Sequence, residues 1–136
     1  MEKIGIIGSG TWGTAIAVLL VNNGHEVTLW SAIPAEIEEM AKTRTHKNLP
    51  GVTLPEGLVY TADLEKAMAD KDLLVMAVPS VFVRSTAQKM KPFCKDGQLI
   101  VDVAKGIEEN TLDTMTQIIK EELPMAEMAV LSGPSH

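Results

Sequence analysis

IIGSGTWGTAIA, Ile6 to Ala17, places three glycines at Gly8, Gly10 and Gly13 between two apolar runs. The run before it, KIGIIG from residue 3 to 8, reads as a short buried strand, and the run after it, to Gly24, reads as a helix. G-x-G-x-x-G between a strand and a helix has a mechanical reading. Gly8 permits the tight turn, Gly10 lets backbone approach a pyrophosphate, and Gly13 lets the helix lie close on the sheet. The start of the helix then offers unpaired N–H groups and a partial positive charge to phosphates. A second strand, HEVTLW from 25 to 30, follows where a dinucleotide site requires one.

Outward from this unit, strand and helix patterns alternate. LVY (58 to 60), DLLVMAVP (72 to 79), QLIVDVA (98 to 104) and MAVLSG (128 to 133) are further short aliphatic runs bounded by turn residues. Several are apolar at nearly every position, the pattern of strands covered on both faces. Pro34 and Glu36 suit the first turn of a helix through Lys42, and Leu112, Met115, Ile118, Ile119 and Leu123 form one apolar helical stripe that Pro124 ends. The expectation is a doubly wound, Rossmann-like α/β domain over residues 1–136, with a mainly parallel sheet and helices on both faces. KNLPGVTLPEG, Lys47 to Gly57, reads as an irregular loop.

Composition bounds the functions. The chain has 136 residues, enough for one well-packed domain, with 46% hydrophobic and 22% charged residues and a formal net charge of -6. No broad basic footprint for nucleic acid or an anionic membrane results, so a phosphate site must be built from backbone and chosen cations. Cys94 stands alone, which excludes an internal disulfide and a cysteine-rich zinc site, and it reads as a buried or half-buried thiol. His25, His46 and His136 are scattered and form no metal constellation; Asp102 and Glu108 are equally isolated by spacing. The longest apolar run, Ala15 to Val21, is too short to span a bilayer, and no leader pattern opens the chain, so the expected location is the cytoplasm.

The second strand ends in Trp30, Ser31, Ala32 and Ile33, without the acid that would accept from a ribose 2′-hydroxyl or the arginine that would pair with a 2′-phosphate. NAD and NADP therefore both stay open, with small Ser31 tolerant of the phosphate. Trp30 reads as packing rather than stacking. Three later loops, VPSVFVR (78 to 84), AKGIEENT (104 to 111) and LSGPSH (131 to 136), follow strands and should face the same crevice as the glycines. In them Lys105 is either a cation for a phosphate or carbonyl oxygen or a solvated strand-end lysine. Phe82 lies against a nicotinamide or belongs to the core, Gly133 and Ser135 are anion donors or an ordinary turn, and Arg84 reads as a helix-surface charge.

GSGTWGTAIA resembles the G-x-G-x-(W/F/Y)-G-T-A-(L/I)-A signature of NAD(P)-dependent glycerol-3-phosphate dehydrogenase, particularly the bacterial type. LPGVTLP, AVPSVFVR, KGIE at 105 to 108 and LSGPSH are similar to that family's later motifs, in order and across essentially the whole chain. The resemblance implies reversible oxidation of sn-glycerol 3-phosphate to dihydroxyacetone phosphate with NAD or NADP, supplying the glycerophospholipid backbone. It implies that Thr11 and Trp12 contact the coenzyme beside Gly8, Ser9, Gly10 and Gly13, and that Phe82 lies near it. Lys105 then contacts coenzyme and substrate, and Gly133 and Ser135 bind glycerol 3-phosphate. Ala32 stands where family members often carry an Arg or His for the adenosine end. The family continues into a helical second domain with a lysine general base, so this chain is expected to be the coenzyme-binding domain, nearly inactive alone and compatible with a homodimer in the full-length enzyme. The alternatives are a related dehydrogenase of another hydroxy substrate and a non-catalytic nucleotide-sensing module, which would not need Lys105.

Overall fold

A computed structural model describes residues 1–104 and 114–130. The strands are β1 (Lys3–Ile7), β2 (Glu26–Trp30), β3 (Leu58–Thr61), β4 (Leu73–Met76), β5 (Leu99–Asp102) and β6 (Glu127–Val130). They form one sheet in the order β3-β2-β1-β4-β5-β6, with every neighbouring pair parallel. The chain builds outward from β1 to one edge, returns, and builds from β4 to the other. The expected doubly wound α/β architecture is therefore present, and its strand order reverses between β1 and β4.

Among the described residues five α-helices lie between the strands: α1 (Thr11–Asn22), α2 (Pro34–Thr43), α3 (Leu64–Met68), α4 (Val83–Met90) and α5 (Met115–Glu122). The period of two along each strand divides the core in two. Ile4, Ile6, Val27 and Leu29 pack with Ala17, Ile37, Met40 and Leu54 on one face of the sheet. Ile7, Trp30, Leu74, Met76 and Ile100 pack on the other with α3, α4 and α5. Because both faces are covered, the strands needed apolar residues in unbroken runs, which is why they were legible.

Several boundaries differ from the sequence expectation. The strand expected over 72 to 79 ends at Met76, and Ser80–Phe82 forms a 3-10 turn leading into α4. The strand expected over 98 to 104 ends at Asp102, whose carboxylate accepts the Ala104 N–H at 2.9 Å and turns the chain. The helix expected from the stripe Leu112 to Leu123 has its described part from Met115, where Thr114 and Gln117 form a reciprocal capping box. Leu112 and residues 131 to 133 lie outside the described residues.

Two further helices carry little periodic signal in the sequence. Helix α3 has only five residues, started by the Asp63 side chain accepting the Glu65 N–H at 3.0 Å. It lies so close to β1 that a Cβ on Gly5 would overlap the Ala67 carbonyl. Helix α4 buries Val83, Thr86, Ala87 and Met90, an i, i+3, i+4, i+7 stripe whose small and polar members hid it. Arg84, expected as a surface charge, instead pairs across to α5 with Glu121 at 3.1 Å and Glu122 at 2.6 Å, and its side chain is largely covered.

Candidate functional site

The glycine loop joins β1 to α1 beside the point where the strand order reverses, the place where open α/β sheets bind ligands. Its three glycines are needed for three different reasons. Gly8 has φ of 127° and sits against the chain leaving β4, where a Cβ would stand 2.7 Å from the Ala77 carbonyl carbon and the Val78 nitrogen. Gly13 lies under Gly8, whose carbonyl oxygen a Cβ there would overlap. Around Gly10 a Cβ would meet nothing within 4 Å. Two glycines are thus required by the protein itself, and the third faces open space.

Helix α1 begins immediately after Gly10, with no side chain capping it and no acid in its first turn. Its first N–H groups and partial positive charge therefore face the same opening as Gly10. Trp12, on that first turn, is 63% exposed. Across the crevice, the turn after β4 carries Phe82 at 56% exposure and a still more exposed Val81, so the core alternative for Phe82 is excluded. Unpaired backbone donors flanked by exposed aromatic side chains suit a phosphate linked to flat rings.

Ser9 is placed otherwise than a simple loop residue. It is 5% exposed, its hydroxyl donates to the Glu36 carboxylate of α2 at 2.7 Å, and its carbonyl accepts from the Thr14 hydroxyl at 3.0 Å. His46, scattered by sequence, packs against the same carbonyl with Nε2 at 3.0 Å. Nothing in the spacing announced these contacts. A cleft of about 350 Å³ lies beyond, between α2 and residues 43 to 47. Its wall carries Glu36 and Glu39 beside His46 and Lys47, whereas the opening at Gly10 is bordered by unpaired backbone donors.

At the end of β2, Trp30 is buried and its indole N–H donates to the Ala62 carbonyl at 3.1 Å, as the packing reading requires. The Ser31 hydroxyl oxygen is also buried and accepts the Ile33 N–H at 3.1 Å, leaving Ala32 and Ile33 as the exposed side chains at that strand end. No charged residue occupies positions 30 to 33, so ribose discrimination has no carboxylate or guanidinium there.

Asp102, isolated by spacing, is tied into the end of β5 by the Ala104 N–H and by the Thr116 hydroxyl at 3.1 Å. Burial pushes its carboxyl above the usual carboxylate range, against the opposing pull of those two donors. A raised folded-state pKa means that the folded protein holds the proton more tightly than the unfolded chain. The stabilising contribution is thus complete below the unfolded pKa and is lost as pH rises through the folded one. Asp102→Asn, which keeps an acceptor for Ala104, is expected to raise the urea midpoint at neutral pH and to match wild type in acid. A lower midpoint than wild type at neutral pH would show that the charged form is the favoured one.

Lys105, Gly133 and Ser135 lie outside the described residues, as do Gly106, Glu108 and His136. Cys94 is half-buried, and burial, helped by Asp96, pushes its thiol up, so it is a poor nucleophile. Among the described residues no cluster of His, Cys, Asp and Glu is disposed to hold a metal, and no helix is long and apolar enough to cross a membrane.

Known proteins share this arrangement. The family model described as NAD-dependent glycerol-3-phosphate dehydrogenase N-terminus matches residues 3–136. A curated NAD(P)+ glycerol-3-phosphate dehydrogenase of Agathobacter rectalis is 53% identical over 137 residues, covering 100% of this chain and 41% of the relative. One from Lactobacillus delbrueckii is 50% identical over 142 residues, covering 100% of this chain and 42% of the relative. The crystal structure of glycerol-3-phosphate dehydrogenase from Coxiella burnetii superposes with a TM-score of 0.89 at 31% identity, covering 99% of this chain and 42% of that one. The chain thus spans about two fifths of the length of the curated relatives it matches. With the glycine loop, the strand order and the later motifs all in agreement, the chain belongs to the family of NAD-dependent glycerol-3-phosphate dehydrogenase N-terminal domains.

Proposed function

We propose that this domain binds NAD or NADP across the glycine loop as the coenzyme half of a dehydrogenase that interconverts sn-glycerol 3-phosphate and dihydroxyacetone phosphate. The observation that carries the reading is the division of labour among the glycines. Gly8 and Gly13 are filled by the protein's own backbone, while Gly10, at the reversal of strand order, opens onto space suited to a pyrophosphate. Names borne by close relatives, dehydrogenases acting with NAD(P)+, agree with it.

On this reading Ser9, Gly10, Thr11 and Trp12 border the dinucleotide, and Phe82 lies toward its nicotinamide end. Lys105 meets both coenzyme and substrate, and Gly133 and Ser135 hold the substrate's phosphate. The bound coenzyme supplies hydride exchange between nicotinamide C4 and substrate C2. To no residue of this chain do we assign the general base for the C2 hydroxyl; that role goes to the helical domain that the family resemblance implies. The same reading carries a cytoplasmic enzyme, compatible with a homodimer at full length, that supplies the glycerophospholipid backbone.

The test is a fluorescence titration of this chain with NADH and separately with NADPH. Trp12, exposed beside the glycine loop, and buried Trp30 are both followed by their quenching. Saturable quenching of the tryptophan emission, with enhanced emission from the reduced coenzyme, is expected. Absence of saturation with both would remove the coenzyme assignment from this domain.

A further inference from the structure

The peptide group between Ser9 and Gly10 is held by two buried side chains, and the Ser9 side chain is anchored separately. Thr14 Oγ1, in the first turns of α1 and wholly buried, donates to the Ser9 carbonyl at 3.0 Å. His46, 7% exposed, brings Nε2 to the same oxygen at 3.0 Å. The Ser9 hydroxyl is tied to Glu36 of α2. Which nitrogen of His46 carries its proton follows from the other bond of the ring: Nδ1 accepts the Asn48 N–H at 3.1 Å, so in the neutral ring the hydrogen is on Nε2 and donates to Ser9. A turn from the His46 carbonyl to the Leu49 N–H, at 3.0 Å, holds the segment that presents the ring.

A trans peptide is planar, so the Ser9 carbonyl and the Gly10 N–H point in opposite directions. With the carbonyl turned inward to two buried donors, the Gly10 N–H is turned outward, into the space where a Cβ on Gly10 would meet nothing. We infer that His46 is a positioning residue for the coenzyme: through the Ser9 carbonyl it aims the Gly10 N–H at the pyrophosphate. The inference rests on the coenzyme reading above. It also gives the irregular segment after α2 a task, since residues 46 to 48 brace the glycine loop from outside the βαβ unit.

NADH titrations of wild type, His46→Gln and His46→Leu test it, each variant's fold being checked by thermal unfolding. A glutamine carboxamide offers one donor and one acceptor, as the neutral ring does, whereas leucine keeps bulk and offers neither. Glutamine is expected to bind NADH within about twofold of wild type and leucine about tenfold more weakly, the loss that follows when one hydrogen bond of about 1–1.5 kcal/mol no longer aligns the donor. Nitrogen-15 spectra of wild type should show His46 protonated at Nε2 and bare at Nδ1, both with and without NADH. A folded leucine variant that binds as tightly as wild type would overturn the role, as would a folded glutamine variant as weak as leucine is expected to be. If leucine fails to fold, the glutamine titration and the ring tautomer still decide, and a proton on Nδ1 refutes the proposal. Failure of wild type itself to bind NADH or NADPH strikes the coenzyme reading instead.

Discussion

Gly8→Ala should lower stability by about 3 kcal/mol or more. Two costs add. A residue with a Cβ forced into a sparsely populated region costs about 1–3 kcal/mol, and φ at Gly8 is 127°. The added methyl would also stand 2.7 Å from two backbone atoms, the Ala77 carbonyl carbon and the Val78 nitrogen, which cannot swing aside as a side chain could. Overpacking of this kind adds about 1–3 kcal/mol. Relief would require β1 to part from the chain leaving β4, where the Ala77 N–H donates to the Ile7 carbonyl at 2.8 Å. Against a total stability of about 5–15 kcal/mol, the variant should unfold at a urea concentration lower by about 1–2 M, with coenzyme binding lost over the same range. An unchanged midpoint would show that the loop has another low-energy conformation.

Gly10→Ala should separate binding from folding. Gly10 has φ of -66° and ψ of -177°, a conformation open to alanine, and its surroundings are empty. Alanine is a poorer residue than glycine at the start of a helix, but it also restricts the unfolded chain, and the two effects are each below about 1 kcal/mol and opposite in sign. Stability should therefore stay within about 0.5 kcal/mol of wild type. The methyl would, however, occupy the space into which the pyrophosphate comes. NADH affinity is expected to fall about 30-fold, equivalent to about 2 kcal/mol, as for one hydrogen bond to a charged group held out of range. Paired titrations and urea curves on Gly8→Ala and Gly10→Ala should thus show opposite patterns. Undiminished NADH binding by Gly10→Ala would place the pyrophosphate elsewhere.

These contrasts also explain what could be read early. Fold class was legible because its signals are local: strands buried on both faces demand unbroken apolar runs, and a turn from strand into helix demands glycine where φ is positive. The roles of Gly8, Gly10 and Gly13 follow from spacing within six residues. Strand ends were read too long wherever an apolar residue served a turn or the following helix, as at Val78 and Val103. Helix α3 was too short for any period to show.

Contacts between distant residues had no such signal. Ser9 meets Glu36 and His46, which are 27 and 37 positions away, and Arg84 meets Glu122, 38 positions away. By spacing alone His46 is one of three unrelated histidines, and Asp102 an acid without company. The sequence by itself determined the strands, the longer helices, the glycine loop and the family, because apolar period and backbone freedom act within a few residues. Only the tertiary structure decided which side chains brace that loop, because parallel crossovers bring together segments tens of residues apart and a polar group, once buried there, must take whatever partner the packing supplies.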